Sequence, residues 1–595
     1  MSQKFTDLVD VLQQAVATRP RANLFGSKID DSWTWITYAE FGRRVEHMRG
    51  GLASIGIGPG DTVGMIANNR VEWAVAAYAT YGLGARYCPM YENQLDDDRK
   101  YIIEDSGSKV VIAATYAIYE TTREWIGSVG ELEHVYCMAL PREDEDSFLA
   151  LEARGENAPA PVATIDPESV CGFIYTSGTT GKPKGVLLSH RNIVSNLNAV
   201  ADILPVDERD VSLSFLPWAH SFGQTCELHL MISAGAAMAI NDAVENLVPN
   251  LADVRPTVLF SVPRVFNRIY DGLQKKIAED GGLKKTLFDK GIAVAGKRKD
   301  LEAQGRSSGL LDLQYRFFDK VVFSKVRERF GGRLRYAVSG GAALSREVGE
   351  FIDRLGIYVC EGYGLTETSP IVSTNYPGTR KIGSVGKPIE GVTVKIDTAA
   401  VGENSTDGEI VVYGPNVMMG YHNLPDKTAE VMTDDGGFRT GDLGRLDDDN
   451  FLYITGRLKE QYKLENGKYV VPAPLEELLQ LSGFISQAFI YGDNKPYNGA
   501  LIIPDQAALE GWAKQKGIKA DYASLLEHAD VRSHIEREIA EHSDGFKNYE
   551  RIRRFKLIAE EFTVDNGLLT PKMSVKRRSV IELYQDELAA LHADG

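Results

Sequence analysis

Cysteine is sparse and scattered in this sequence: Cys88, Cys137, Cys171, Cys226 and Cys360 are the five in 595 residues. They form no CxxC pair and no Cys/His cluster. That argues against a structural zinc site and a disulfide framework, and it fits a reducing compartment. Long apolar runs are also missing. The nearest, CELHLMISAGAAMAI, is short and contains Glu227 and His229, so no membrane-spanning helix is expected. The N-terminus, MSQKFTDLVDVLQQAV, lacks the basic start and apolar run of a secretion signal. Positive charge is in deficit: 66 lysines and arginines face 83 acids, a net charge of −17. Such a surface repels a phosphate backbone, so no nucleic-acid partner is expected. These deficits describe a cytoplasmic, soluble protein, or one that rests peripherally on the inner face of a membrane. Oligomeric state stays open between monomer and homodimer.

What is present is enough apolar material for a sizeable core, 43% of the chain, with 25% charged residues and no low-complexity tract. A chain this long exceeds one compact core, so at least two domains are expected. Residues 62–140 alternate strand-like and helix-like stretches: DTVGMIA, RVEWAVAAYATYGLG, RYCPMY, DDDRKYIIEDSG, KVVIAA and HVYCMAL. Strands separated by helical patterns predict parallel βαβ units and an α/β fold class. The pattern returns after 168 with SVCGFIY, GVLLS, DVSLSFLP, AAMAIN, PTVLFSV and LRYAVSG as strands. Residues 268–330 read as a long helical insertion rich in Lys and Arg, either packed on the domain or offering a basic surface to anionic lipid. From 383 to 455 short strands such as GVTVKI, GEIVVYG and FLYITG predict a small β-rich part. After GRLKE a small α+β domain begins. The expected division is therefore 1–456 and 457–595, with a hinge between. Basic stretches at 546–556 and 572–578 read as a solvated helix face and a tail, or as local anion sites.

The chemistry starts at YTSGTTGKPKGV, residues 175–186, which holds three glycines, three threonines and two lysines. A loop of this kind after a strand offers backbone N–H groups, hydroxyls and charge to phosphate oxygens. It is not a Walker loop, since Gly178 and Gly181 are too close and Pro183 follows Lys182. No GxGxxG pattern occurs in it either.

Four further stretches accompany it: YGLTET at 363–368, FRTGDLG at 438–444, GRLKEQYKLENGKYV at 456–470 and LTPKMSVKRR at 569–578. With the opening loop they resemble, in order and spacing, the signatures of the adenylate-forming superfamily, and the resemblance covers nearly the whole chain. SGGAAL at 339–344 and GEIVVYGPNVMMGYHN at 408–423 fit the same pattern. Within that superfamily PTVLFSVPRVFNRIYDGL, the helical insertion and GRLKEQYKLENGKYVVPAPLEE look most like the long-chain fatty acid–CoA ligases.

The resemblance implies a large N-terminal domain with a mobile C-terminal domain, and a two-step reaction. A fatty acid attacks ATP to give acyl-adenylate and pyrophosphate; CoA then takes the acyl group and AMP leaves. It implies that Thr176, Ser177, Gly178, Thr179, Thr180 and Lys184 cradle the β- and γ-phosphates. Tyr363 would pack on adenine, with Gly340, Gly341 and Ala342 across the ring and Glu361, Gly362 and Gly364 around it. Thr366 would touch the α-phosphate, and Glu367 would ligate Mg²⁺. Asp442 would accept from the ribose hydroxyls, with Arg457 and Lys463 as further nucleotide contacts. Lys459 falls at the hinge. Lys576 is the expected catalytic lysine, a cation for the charge gathering at the α-phosphate; Val575 stands where the pattern usually has glycine. His220, in LPWAHSFG, matches a position beside the acyl pocket and is either a second catalytic residue or a structural histidine, with Trp218 and Phe222 as candidates for lining or gating that pocket. Two alternatives remain: a ligase that loads a carrier protein instead of CoA, and a non-catalytic nucleotide or acyl sensor.

Overall fold

The computed structural model describes residues 4–176, 182–400, 406–570 and 575–593. The first sheet has seven strands. Thr62–Ile66, Arg86–Met90, Ser108–Ala113, His134–Cys137 and Val170–Thr176 run parallel, as the alternating pattern predicts. Lys184–Ser189 and Gly420–Tyr421 extend the sheet antiparallel, so the layer is mixed rather than purely parallel. Along Ser108–Ala113 the side chains alternate between two apolar clusters, Val110 and Ile112 in one and Val111 and Ala113 in the other. Both faces are covered, which is why these strands read as unbroken apolar runs.

A second sheet joins Asn23–Ile29, Ser32–Thr37, Ala237–Ile240 and Val211–Ser214. A third runs through the parallel strands Val258–Ser261, Tyr336–Ser339 and Val359–Gly364, then turns antiparallel with Ile371–Thr374 and Lys387–Pro388. The Thr257 N–H donates to Val211 O at 2.9 Å and ties the two sheets at one edge. The helical insertion lies between the first two strands of the third sheet. It begins at Pro263, earlier than the expected 268, because proline suits a first helical position. Its helices Pro263–Asp280 and Gly282–Ala303 pack Phe266, Leu273 and Phe288 against Phe351, Ile352 and Leu355. A small antiparallel sheet of Thr393–Asp397, Gly408–Tyr413, Phe438–Leu446 and Leu452–Arg457 accounts for most of the β-rich part.

The C-terminal region has a three-stranded sheet of Ile485–Tyr491, Asn498–Pro504 and Ile552–Leu557. Ala488, Ile490, Ala500 and Ile502 face one cluster, while Phe489, Leu501 and Ile503 face another. The basic stretch 546–556 is corrected here. It is a loop leading into the strand Ile552–Leu557, where Phe555 and Leu557 point inward and Arg553 and Lys556 point out. Its period is two, the mark of a strand rather than a solvated helix face. Among the described residues no helix is long and apolar enough to cross a membrane.

Candidate active site

The hairpin formed by Val170–Thr176 and Lys184–Ser189 brings Thr176 opposite Lys184 as the last pair before its connecting loop. The tip carrying Ser177, Gly178, Thr179 and Thr180 lies outside the described residues. Strand Gly420–Tyr421 pairs with the hairpin, Tyr421 opposite Val186. This puts the Lys184 ammonium 3.8 Å from the Tyr421 ring centroid, a cation–π contact. Burial lowers the Lys184 pKa, and the nearby Lys459 and Lys427 charges lower it further against the pull of Glu367. The Tyr421 hydroxyl donates to Glu367 Oε1 at 2.9 Å. Glu367 sits in the turn Thr366–Thr368, and its backbone oxygen accepts from the Met418 N–H at 2.9 Å. Lys184, Tyr421 and Glu367 are thus one connected group drawn from three segments. Tyr421 was missed as a site residue by sequence reading, although its stretch had been matched.

A second group forms around Asp442, which is only 4% exposed. Strand register sets Asp442 opposite Arg457, and Arg457 Nε lies 3.1 Å from Asp442 Oδ1. From the third sheet, the Tyr363 hydroxyl donates to Asp442 Oδ2 at 2.7 Å. Burial raises the Asp442 pKa, with Arg457 and Tyr363 opposing and the Glu367 and Glu460 charges adding to the rise. Arg457 is raised in turn, chiefly by Asp442. The two groups lie within electrostatic reach of each other, the Glu367 charge acting on both Asp442 and Arg457.

Tyr363 is the penultimate residue of the strand Val359–Gly364, whose last residue makes a close backbone approach. A Cβ on Gly364 would lie 1.7 Å from Pro370 O, so that position requires glycine. Glu361 is buried, its carboxyl held by the Leu344 and Gly383 N–H groups and pushed up to about 7 by burial. Its side chain is therefore turned into the protein, and its backbone oxygen accepts from the Asn375 N–H at 2.7 Å. Gly340, Gly341 and Ala342 follow the strand Tyr336–Ser339, and the Phe222 ring packs closely on Gly340. Thr366 Oγ1 meets Ser221 Oγ at 3.3 Å, which joins the Thr366 turn to the His220 loop. His220 Nδ1 accepts from the Phe222 N–H at 3.2 Å. That bond leaves the ring proton on Nε2 in the neutral form.

Trp218 is corrected from pocket lining to core. It is fully buried, its ring against Trp73 and Phe25, and its Nε1 donates to Ser214 Oγ at 3.1 Å. Beneath it lies Glu227 on the π-helix Phe222–His229, accepting from Ser212 Oγ at 2.9 Å and Ser214 Oγ at 2.8 Å. Sequence reading noted Glu227 only as an interruption of an apolar run.

Of the C-terminal residues, Lys459 lies within electrostatic reach of Lys184, while among the described residues Lys463 and Lys576 make no contact with either group. Lys463 is exposed on the short strand Tyr462–Lys463, its ammonium 5.6 Å from the Tyr469 ring centroid. Lys459 is exposed in the turn after the strand Leu452–Arg457. Gly456 precedes it with φ 156°, and a Cβ there would lie 2.1 Å from Val471 Cγ1, so the chain crosses between the regions at a point only glycine fits. Lys576 is exposed just before the helix Arg577–Leu583, its N–H donating to Leu568 O at 2.8 Å. It joins neither the Asp442 nor the Glu367 group. Arg577, missed earlier as part of a basic tail, fixes this helix: its Nη1 lies 2.8 and 3.0 Å from the Glu476 carboxylate oxygens and Nη2 donates to Ile490 O.

A large α/β body, a buried carboxylate shared by a tyrosine and an arginine, and a C-terminal α+β region together frame the comparison with known proteins. The AMP-binding enzyme family matches residues 12–422 and the AMP-binding enzyme C-terminal domain matches residues 459–595, and the chain belongs to this family. It is 36% identical over 578 residues to a long-chain-fatty-acid–CoA ligase, FadD15, of Mycobacterium bovis, covering 95% of this chain and 93% of the relative. It is 30% identical to the peroxisomal long chain acyl-CoA synthetase 7 of Arabidopsis thaliana, over 99% of this chain and 86% of that protein. In fold it matches the adenylation domain of a carboxylate reductase from Mycobacterium chelonae, with a TM-score of 0.79 at 22% identity over 99% of this chain and 91% of that one.

Proposed function

We propose that the chain activates a long-chain fatty acid with ATP and transfers the acyl group to CoA, releasing AMP and pyrophosphate. The observation that carries this reading is the meeting of Tyr363, Arg457 and Asp442, beside Glu367, Tyr421 and Lys184, in a chain with full-length relatives of that name.

Asp442 keeps lone pairs beyond those used by Tyr363 and Arg457, so it can accept from both ribose hydroxyls while its partners hold it in place. The Tyr363 ring then serves as the adenine platform, opposite Gly340, Gly341 and Ala342. Lys184 and the hairpin residues 176–180 hold the phosphates that leave. Thr366 reaches the α-phosphate. The residues fit Mg²⁺: Glu367 is a hard carboxylate donor, Tyr421 engages one of its oxygens, and among the described residues nothing engages the other. Bound there, Mg²⁺ neutralises phosphate charge. In the first half-reaction a carboxylate oxygen bonds to the α-phosphorus and pyrophosphate departs. In the second, the thiol sulfur bonds to the carbonyl carbon, the acyl–oxygen bond to AMP breaks and the thiol proton is lost.

The exposed position of Lys576 supports a division into 1–456 and 457–595, with rotation at the segment holding Gly456 and Lys459. One orientation presents Lys576 to the α-phosphate, and another admits CoA. His220 lies beside the acyl carboxylate. The insertion gives the enzyme a peripheral station on a lipid surface. The test is product analysis with oleate, ATP and Mg²⁺: oleoyl-CoA and AMP, with AMP turnover dependent on CoA, are expected. Acyl-adenylate whose turnover ignores CoA but responds to a carrier protein overturns the choice of acceptor.

A further inference from the structure

The helical insertion carries a face that the proposed catalytic cycle does not use. Helix Gly309–Phe318 buries no residue completely. Its inner face, with Leu311, Tyr315 and Phe318, rests partly covered on the insertion, while Leu310, Leu313 and Phe317 stand 68%, 66% and 55% exposed on the other side. Their spacing of three and four residues makes one stripe, continued by Val321. Large side chains this exposed and this aligned are not the scattered surface apolars of an ordinary monomer. Beside the stripe, Lys290 and Lys297 of the neighbouring helix line an open groove of about 520 Å³ together with Leu313 and Phe317.

The charge of this segment opposes that of the whole. Residues 282–325 hold ten lysines and arginines against five acids, net +5, in a chain of net −17. Asp289, Glu302, Asp312 and Asp319 are engaged by Lys285, Lys299, Arg298 and Arg327. Lys290, Lys297, Arg316 and Lys320 have no ion pair among the described residues and are exposed. A leucine–phenylalanine stripe flanked by unpaired cations is the pattern of a surface that enters the headgroup boundary of a bilayer.

We propose that Leu310, Leu313 and Phe317, flanked by Lys290, Lys297 and Lys320, dock this protein on an anionic lipid bilayer. This deepens the fatty-acid reading, which it rests on for its purpose, because a long-chain acid partitions into membranes and the site would receive it there. A second copy docked through the same face is a poorer occupant, because a two-fold contact would set these unpaired cations against their own kind.

The experiment is flotation of the full chain with vesicles of phosphatidylglycerol and phosphatidylcholine, or of phosphatidylcholine alone. Binding is expected to the anionic vesicles and to weaken with salt. Each lysine near the surface contributes about fivefold, so Lys290→Glu/Lys297→Glu/Lys320→Glu is expected to weaken binding by on the order of 10²-fold. Leu313→Asp/Phe317→Asp is expected to lose about tenfold or more per side chain. Both variants should keep wild-type thermal stability and wild-type ligation of a dispersed fatty acid without vesicles. Equal flotation of wild type and both variants, no flotation of the wild type, or an oligomer in gel filtration that only the variants dissolve overturns the proposal. Flotation requires no turnover, so a wild type that floats but ligates no fatty acid defeats the catalytic reading and leaves the docking surface standing.

Discussion

Glu227 offers a direct test of how burial sets the energetics of the body that holds the site. Its carboxyl is fully buried and bonded to Ser212 and Ser214, and among the described residues no cation pairs with it. Burial raises it from 4.5 to about 7, which corresponds to about 3 kcal/mol between its charged and neutral forms. Between those pH values the native state holds a proton that the unfolded chain releases. Stability from this group is therefore full below the unfolded value, falls as pH rises through the native one, and stays low above it. Glu227→Gln removes the titration and keeps the shape. An amide can accept from the Ser214 hydroxyl and donate to Ser212 Oγ. At about pH 4 the variant should match wild type, and at about pH 8.5 it should be more stable by up to about 3 kcal/mol, a Tm gain on the order of 3 °C for a unit of this size. Glu361, also pushed up to about 7, titrates in both proteins and cancels in the difference. The assay is thermal unfolding followed by tryptophan fluorescence, since Trp218 reports on this network. A stability gap that is the same at both pH values would falsify the reasoning.

Lys576→Ala should slow acyl-adenylate formation by roughly 10²–10³-fold, with a smaller effect on thioester formation from supplied adenylate; equal losses in single-turnover assays of both steps count against Lys576 as the adenylation cation. Tyr421→Phe removes the hydroxyl on Glu367 and should lower kcat/KM for ATP by about tenfold, the worth of one hydrogen bond to a charged group, while Tm stays near wild type; an unchanged kcat/KM shows that Tyr421 does not hold Glu367. Arg577→Met leaves Glu476 buried without its cation and should destabilise the C-terminal region by about 3–5 kcal/mol, read by chemical denaturation, and Arg577→Lys should cost less. A C-terminal region as stable in Arg577→Met as in wild type refutes that anchoring role.

Most strands of the large sheets were legible because their residues obey a local period. Runs such as VVIA and ALIIP are apolar at every position because both faces of their sheets are covered. The stretch 546–556 was misread because clustered arginines and lysines drew attention from the buried Phe555 and Leu557, spaced by two. In the candidate site, Asp442, Tyr363, Glu367 and Lys184 were found through ordered motifs. Tyr421 and Arg577 were not singled out, because their roles depend on partners far away in sequence, Glu367 and Glu476. Trp218 was misassigned for the same reason: a tryptophan beside a pocket motif looks alike from the sequence whether it faces the cavity or, as here, Trp73 and Phe25.

The sequence by itself determined the nucleotide chemistry to be sought and the α/β class, because loop composition, hydrophobic period and motif order are local properties. The tertiary structure alone decided that Tyr363 and Arg457 share Asp442, that Tyr421 links Lys184 to Glu367, and that the insertion leaves Leu313 and Phe317 uncovered. Such facts arise from sheets and helices packing across the chain. Hydrogen bonding and burial act over a few ångströms of space, whatever the separation in sequence.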